Sequence, residues 1–187
     1  FFVSRDAVDI EGLGESTIKD LVDQGLLSGF ADVFLLDEER LEGVAGFGAV
    51  FIENLLAAIR VGKSAELWRY VNGFSIPGVG TARAKLLANA FPSLQALVEM
   101  RSDDFRVGGR AGGVSLGDAA REACIAFFAD EANRTMIRRL IELGVEPKAP
   151  LSAGDDGARP LSGKVIVLTG KLPTLASAAA ARLIELA

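Results

Sequence analysis

Glycine pairs of one spacing recur along the chain and could bind an anion. Gly-hydrophobic-Gly triplets occupy residues 12–14, 46–48 and 78–80, and a weaker copy with serine at its first position occupies 115–117. Glycine accepts φ > 0 in a tight turn and, lacking a Cβ, lets a ligand approach the backbone. Where a helix follows, its first N–H groups have no partner in that helix and carry the positive end of its dipole. These features together predict sites for phosphate groups.

The spacing of the triplets indicates an internal repeat. The first glycines of the three clear triplets are 34 and 32 residues apart, and the weaker copy starts 37 residues after Gly78. An aliphatic residue stands two positions before each clear triplet, at Ile10, Val44 and Ile76. Repetition at such a period is typical of an array of one supersecondary unit. An array of phosphate contacts would hold a duplex without reading its bases.

The third copy carries the fullest set of candidate contacts. Its glycines enclose Val79, which we expect to turn inward and anchor the hairpin, and two cations follow in the next predicted helix. Across the four copies the predicted DNA-binding residues are Gly12, Gly14, Gly46, Gly48, Gly78, Val79, Gly80, Thr81, Arg83, Lys85 and Gly117.

Several kinds of chemistry are excluded by what the chain lacks. It has no histidine, and Cys124 is its one cysteine. A Ser-His-Asp triad, a Cys-His pair and a cysteine-rich zinc site therefore cannot form within it. We expect no catalytic, cofactor-binding or metal-binding residue in this chain.

Charge is distributed unevenly around a net value of −5. Residues 1–60 hold 4 basic and 12 acidic residues, whereas residues 61–144 hold 11 basic and 9 acidic ones. A polyanion should therefore be contacted mainly by the middle of the chain, or by backbone amides. No signal peptide and no membrane-length apolar run is visible, so we expect a cytoplasmic protein with no membrane partner.

Helical periodicity dominates the chain as far as residue 144. Apolar stripes with three- and four-residue spacing follow the triplets, as at Ile52, Leu55 and Ile59. Further helices are predicted at Ala31–Leu41, Ala65–Val71, Ser93–Met100 and Asn133–Leu143. Gly144 is a natural stop for the last one. We predict an all-α domain over 1–144 in which the unit helix, glycine hairpin, helix is repeated four times.

The remaining residues have a different composition. Residues 145–160 hold three prolines and two glycines without apolar periodicity, which predicts a linker. Residues 161–187 contain the buried-strand pattern Val-Ile-Val-Leu followed by an alanine-rich helix pattern. One strand cannot complete a sheet, so we expect this piece to be the start of a larger α/β domain or to be held by contacts with the rest of the chain.

The triplets resemble helix-hairpin-helix DNA-binding motifs. The opening phrase Phe2–Gly14 is similar to the start of the helix-hairpin-helix domain of bacterial NAD-dependent DNA ligases. Residues 54–59 and 127–134 are similar to the same family, and residues 161–173 resemble the first strand and loop of its BRCT domain. The resemblance covers almost the whole chain, although Phe1 stands where the family usually has histidine.

This resemblance implies a parent protein that seals nicks in duplex DNA during replication and repair. In the family, a Lys-x-Asp-Gly lysine is adenylated from NAD, and Mg²⁺ and a four-cysteine structural zinc site serve the upstream domains. No Lys-x-Asp-Gly occurs here, so the chain alone should be inactive as a ligase. Its implied partners are nicked duplex DNA and the upstream ligase domains. The implied location is the bacterial cytoplasm, in association with the nucleoid.

Alternative functions remain open from the residues alone. A non-catalytic scaffold or DNA-structure-binding module of a repair complex would share the hairpins. It would not share the Phe2–Gly14 phrase or the BRCT-like tail. A helix-hairpin-helix glycosylase would need a catalytic Asp or Lys after its hairpin, and no pattern supports one. A protein-interaction module would bind DNA without strong salt dependence, if it bound DNA at all.

Overall fold

Helices and turns make up residues 1–101 and 116–150, which are the residues that the computed structural model describes. In chain order the helices are α1 (Glu15–Asp23), a 3₁₀ helix (Phe30–Leu35), α2 (Glu38–Glu42), α3 (Ala49–Gly62), α4 (Leu67–Gly73), α5 (Thr81–Ala90), α6 (Leu94–Val98), α7 (Asp118–Ala129) and α8 (Glu131–Glu142). These two ranges contain no strand, only an isolated bridge between Glu66 and Lys148. The all-α prediction is confirmed for the described part of 1–144.

The apolar stripes read from the sequence form the core. Ile52, Leu55 and Ile59 of α3 are buried, as are Cys124 and Phe128 of α7. The largest fully buried side chains are Tyr70, Phe128, Leu21, Leu41, Leu55, Leu67, Leu87, Leu97, Ile137 and Leu140. Each of the eight α-helices in the described residues contributes to this set, whereas the 3₁₀ helix does not. The hairpins therefore rest on one continuous apolar core.

The end of α8 confirms the prediction for Gly144. Gly144 has φ of 74°, a conformation that glycine adopts at low cost. Its N–H donates to the carbonyl of Ile141, and the N–H of Val145 donates to that of Leu140. These two bonds are those of a Schellman motif, which satisfies the last carbonyls of the helix.

The single helix predicted at Ala31–Leu41 is wrong. The chain forms the 3₁₀ helix and then becomes extended at Leu36, where ψ is 131°. A separate helix, α2, begins after it. Asp37 is the cause, because its carboxylate accepts the N–H of Arg40 and caps a new helix. Asp37 therefore marks a helix start inside a stretch whose apolar spacing alone predicts continuity.

The first repeat unit has no helix before its hairpin. Residues 1–8 form turns instead, and two side chains of α4 hold them in place. Arg69 Nη1 donates to the carbonyls of Arg5 and Ala7, at 3.1 and 2.9 Å. Asn72 Nδ2 donates to the carbonyl of Asp6 at 2.6 Å. The prediction of a helix on both sides of every hairpin is therefore wrong at the first unit.

The beginning of the predicted linker packs on the helical unit. The N–H groups of Glu146 and Lys148 donate to the carbonyls of Lys63 and Ala65, and the N–H of Leu67 donates to Lys148. The compact unit that contains these residues runs from Phe1 to Pro150. The rest of the linker, the BRCT-like segment 161–187 and Ser115 of the fourth hairpin lie outside the described residues.

Candidate nucleic-acid interface

The three clear hairpins share one backbone turn. The first glycine of each is left-handed, with φ of 92° at Gly12, 87° at Gly46 and 75° at Gly78. In each turn the N–H of the central hydrophobic residue donates to the carbonyl of the aliphatic residue three positions earlier, at 2.9 to 3.2 Å. An L side chain would be strained at these glycines, so the fold itself requires them.

The central hydrophobic residues anchor the turns, as the sequence predicts. Leu13, Val79 and Leu116 are 5–6 % exposed. Phe47 is half-buried and packs edge to face on Phe51, with ring centroids 4.8 Å apart. This anchoring fixes the direction in which each hairpin presents its second glycine.

The second glycines have a different conformation from the one expected. Gly14, Gly48 and Gly80 are extended N-caps, with φ of −73°, −86° and −94°. The expectation of φ > 0 at these positions is wrong. Any residue adopts such angles, and a Cβ placed on any of the three would meet no atom within 4 Å. Neither backbone conformation nor packing within the protein explains glycine there.

Each second glycine is followed by helix N–H groups whose hydrogen bonds are not accepted within the helix. The first intrahelical bonds of α1, α3 and α5 are donated by Ile18, Ile52 and Ala84 to the carbonyls of the capping glycines. The N–H groups of the three residues before each donor have no acceptor in their helix. In α5 these are the amides of Thr81, Ala82 and Arg83. No side chain caps any of these three helices.

The first turns of the hairpin helices differ in charge. Glu15 begins α1 and Asp118 begins α7, whereas α3 and α5 have no acidic residue in their first turns. The Asp118 side chain is 94 % exposed and pairs with Arg121 at 3.5 Å. An anion would meet the positive dipole end unopposed at α3 and α5, and beside a carboxylate at α1 and α7.

The two candidate cations of α5 have different surroundings. Arg83 Nη1 donates to the carbonyl of Gly78 at 2.6 Å, so its guanidinium is engaged by the hairpin. Lys85 is exposed, and its ammonium lies 5.2 Å from the centroid of the Trp68 ring. Thr81 is exposed at the first position of the helix. Lys85 and Thr81 are therefore open to solvent beside the candidate amides.

The first and third hairpins each pack on a later helix. A Cβ on Gly12 would lie 3.4 Å from Cδ1 of Leu55 and 3.7 Å from Cε2 of Phe51, both in α3. A Cβ on Gly78 would lie 3.4 Å from Cβ of Ala120 in α7. The first hairpin thus packs on the helix that follows the second. The third packs on the helix that follows the fourth, beside a cleft of about 300 Å³.

Two strained residues escaped the sequence analysis. Asp9 and Ser75 are left-handed, with φ of 58° and 55°, although neither is glycine. Each stands three positions before the first glycine of its hairpin. Gly43, at the same place before the second hairpin, has φ of −72°. The first and third hairpins therefore share a left-handed residue at this position. The sequence does not show this similarity, because Asp and Ser are ordinary loop residues.

The one cysteine of the chain, Cys124, lies in the core and has a poorly reactive thiol. Cys124 is fully buried in α7, and burial raises the pKa of its thiol to about 11, against a smaller opposing effect of the Arg83 charge. Within the described ranges no group of three or more histidine, cysteine, aspartate or glutamate residues could hold a metal ion. No helix of residues 1–101 or 116–150 is long and apolar enough to cross a membrane.

Comparison with known proteins gives this geometry a context. Residues 4–60 match the model of the SAM-like helix-hairpin-helix tandem family. The chain is 38 % identical over 187 residues to DNA ligase 1 of Opitutus terrae, covering all of the chain and 27 % of that protein. It is 40 % identical over 173 residues to the DNA ligase of Chlamydia trachomatis serovar L2, covering 92 % of the chain and 25 % of the relative.

The chain is homologous to a segment of the DNA ligases. The DNA ligase of a Synechococcus species shows the same relation, with 36 % identity over 184 residues, 98 % of the chain and 26 % of the relative. The chain thus spans about a quarter of the length of these DNA ligases. The matched tandem of 4–60 contains the first and second hairpins, which is the pair that packs together through Gly12.

Proposed function

We propose that the hairpins bind the sugar-phosphate backbone of duplex DNA without choosing a sequence. The amides that follow Gly48 and Gly80 are the best-suited contacts, because no acidic side chain shares their first turns. Backbone amides recognise phosphate and carry no information about the bases. The exposed Lys85 adds a charge-assisted contact beside the third hairpin.

The open space at Gly14, Gly48 and Gly80 carries this proposal. At each position the fold would accept a side chain, since the backbone is extended and a Cβ would touch nothing. One such glycine carries no information by itself, but its recurrence at the same place in a repeated hairpin is explained by a ligand that comes close to the backbone. The same situation recurs at three hairpins, and in all three the glycine precedes uncapped helix amides.

The proposal extends to an array of four hairpins arranged as two pairs. The contacts of Gly12 with α3 and of Gly78 with α7 follow the same pattern. In each, the first glycine of one hairpin touches the helix that follows the next hairpin. The match of 4–60 to a tandem family supports the first pair. The equivalent packing at Gly78 supports a second pair made by hairpins three and four.

For the whole protein we propose NAD-dependent sealing of nicks in duplex DNA. This chain would be its C-terminal part, with hairpins that grip the minor groove on both sides of the nick and a BRCT domain beginning at residue 161. The nucleotidyl lysine, NAD, Mg²⁺ and a structural zinc are assigned to upstream ligase domains, and the chain alone would be inactive. The parent would work in the bacterial cytoplasm, at the nucleoid.

Serine substitutions at the second glycines separate DNA binding from stability. Serine is an N-cap at least as good as glycine, so Gly48→Ser and Gly80→Ser should leave the free energy of unfolding unchanged or raise it slightly. The new hydroxymethyl group would occupy the phosphate position. Its oxygen would also accept a hydrogen bond from one of the helix N–H groups proposed to bind the phosphate. Each variant should therefore lose duplex affinity by about tenfold, the value of a charge-assisted hydrogen bond.

Gly29→Ser is the matched control. Gly29 is also an extended N-cap glycine with open space around it, but it starts the 3₁₀ helix and belongs to no hairpin. Fluorescence anisotropy with nicked, intact and single-stranded DNA would measure affinity, and urea denaturation would measure stability. Equal affinities of Gly80→Ser, Gly48→Ser, Gly29→Ser and the parent sequence would refute the proposed contacts.

A further inference from the structure

The third hairpin and α7 meet at a close contact that we call the seam, formed by Gly78, Arg83, Gly117 and Ala120. Backbone approaches backbone there, because a Cβ on Gly78 would lie 3.4 Å from Cβ and 3.6 Å from Cα of Ala120. The Arg83 side chain lies along the seam, with part of its surface exposed. Its Nη1 donates to the Gly78 carbonyl at 2.6 Å, and its Nη2 lies 3.7 Å from the place of a Cβ on Gly117.

The first pair of hairpins fills the corresponding space in another way. There Phe51 of α3 lies against Gly12, with its ring 3.7 Å from the place of a Cβ. Counting three residues beyond the last glycine of each hairpin gives Thr17, Phe51, Arg83 and Ala120 in chain order. In the first pair the larger of the two residues is on the helix after the second hairpin. In the second pair that residue is Ala120, and the larger residue is Arg83 of the opposite helix.

We infer that Arg83 is a positioning residue, which fixes the spacing of the α5 and α7 N-termini by filling the seam, and is not itself a phosphate ligand. The inference rests on the proposed function, since the spacing matters because both helix ends are to follow one phosphate backbone. The bond to the Gly78 carbonyl also holds the turn that presents the amides of α5. This role differs from the phosphate contact that the sequence predicts for Arg83.

The chemistry of arginine suits this place better than that of lysine. A guanidinium is a planar fork whose separate nitrogens can reach two neighbours at once. One nitrogen, Nη1, bonds the Gly78 carbonyl, while the other, Nη2, lies beside Gly117. A lysine ammonium is a point charge on a flexible stem, so it would keep the charge of Arg83 without bridging the seam.

The test compares Arg83→Lys and Arg83→Met with Lys85→Met in the 187-residue chain. Lys85 is on the same helix and carries the same charge, but it lies over Trp68 and not across the seam. For a positioning residue, both Arg83 variants should lose about fivefold in duplex affinity with no change in the salt dependence. For a phosphate ligand, Arg83→Lys would keep the affinity and Arg83→Met would lower the slope of log affinity against log salt by about one. The second outcome overturns the inference, as does wild-type affinity in both Arg83 variants.

A second readout does not depend on DNA. Cys124 is buried in α7 one turn beyond Ala120, so labelling of its thiol reports opening of that helix. At one pH, Arg83→Lys should be labelled several times faster than the wild type, because the seam is loosened while the charge near the thiol is kept. Lys85→Met should be labelled at the wild-type rate. Unchanged labelling of Arg83→Lys would overturn the inference, whatever the DNA-binding results are. The proposed function is judged separately, by whether Gly80→Ser binds duplex DNA more weakly than the wild type.

Discussion

The two glycines of each of the three clear hairpins are required for different reasons. Gly12, Gly46 and Gly78 are left-handed, so the turn needs them whatever the protein binds. Gly14, Gly48 and Gly80 are extended and face open space, so the turn does not need them. The sequence predicts the position of every one of these residues, because the triplet is visible in the letters. It cannot separate the two causes, since φ and free volume are properties of the folded chain.

Ser75 stores strain that a substitution can release. A left-handed L residue costs about 1–2 kcal/mol, and asparagine tolerates this conformation better than serine. Ser75→Asn should therefore be neutral or stabilising by up to about 1 kcal/mol, whereas the β-branched Ser75→Val should destabilise by about 1–2 kcal/mol. Free energies of unfolding from urea denaturation check both values.

Ser64→Val provides the comparison for this pair. Ser64 is also exposed, in the connection between α3 and α4, but its φ is not positive. Its replacement by valine should change the free energy of unfolding by less than about 0.5 kcal/mol. Equal free energies for Ser75→Asn and Ser75→Val would show that the residue carries no backbone strain.

At the scale of the element, the helix N-terminus is the proposed functional unit. The first turns of α3 and α5 are free of acid, while α1 and α7 begin with Glu15 and Asp118. Apolar periodicity predicts α3, α7 and α8 well, because long stripes decide those helices. It fails at residues 31–41, where the Asp37 carboxylate starts a new helix, and at the first unit, where side-chain bonds from α4 replace a helix.

Removing the acid at α1 should change affinity and stability in opposite directions. Glu15→Gln deletes a negative charge beside a proposed phosphate site and should raise duplex affinity by about two- to fivefold at low salt. The same change removes a favourable charge from the helix N-terminus and should cost about 0.3–1 kcal/mol of stability. A binding titration at low and high salt, with urea denaturation beside it, measures both effects.

Glu38→Gln is the matched variant for this comparison. Glu38 is an exposed acid in the first turn of α2, which follows no hairpin, and its substitution changes the net charge equally. A rise in affinity as large in Glu38→Gln as in Glu15→Gln would attribute the effect to net charge, and the first hairpin would then have no place at the interface.

At the scale of the whole molecule, the acidic charge argues against DNA binding whereas the helix-hairpin-helix architecture argues for it. The chain is acidic, with 12 acidic residues among its first 60, yet that third of the chain contains the segment 4–60 matched to a helix-hairpin-helix tandem. The proposed contacts through backbone amides would resolve this conflict, because such contacts need dipoles and free N–H groups rather than a basic surface. The sequence predicts the repeat and the helical class. The pairing of hairpins could not be predicted, because it depends on which helix each glycine touches.

Amide chemical shifts of the 187-residue chain during titration with nicked duplex DNA test the central claim most directly. We expect salt-sensitive shifts at the N-terminal amides of α3 and α5, residues 49–51 and 81–83. The start of α8 is the internal reference, since the Asp130 carboxylate accepts the N–H of Asn133 there and no hairpin precedes it. Shifts concentrated at 49–51 and 81–83, with residues 131–133 unmoved, are the expected result. Shifts confined to the backbone amides of exposed lysine and arginine residues outside the hairpins, with residues 49–51 and 81–82 unmoved, would refute the proposed amide contacts.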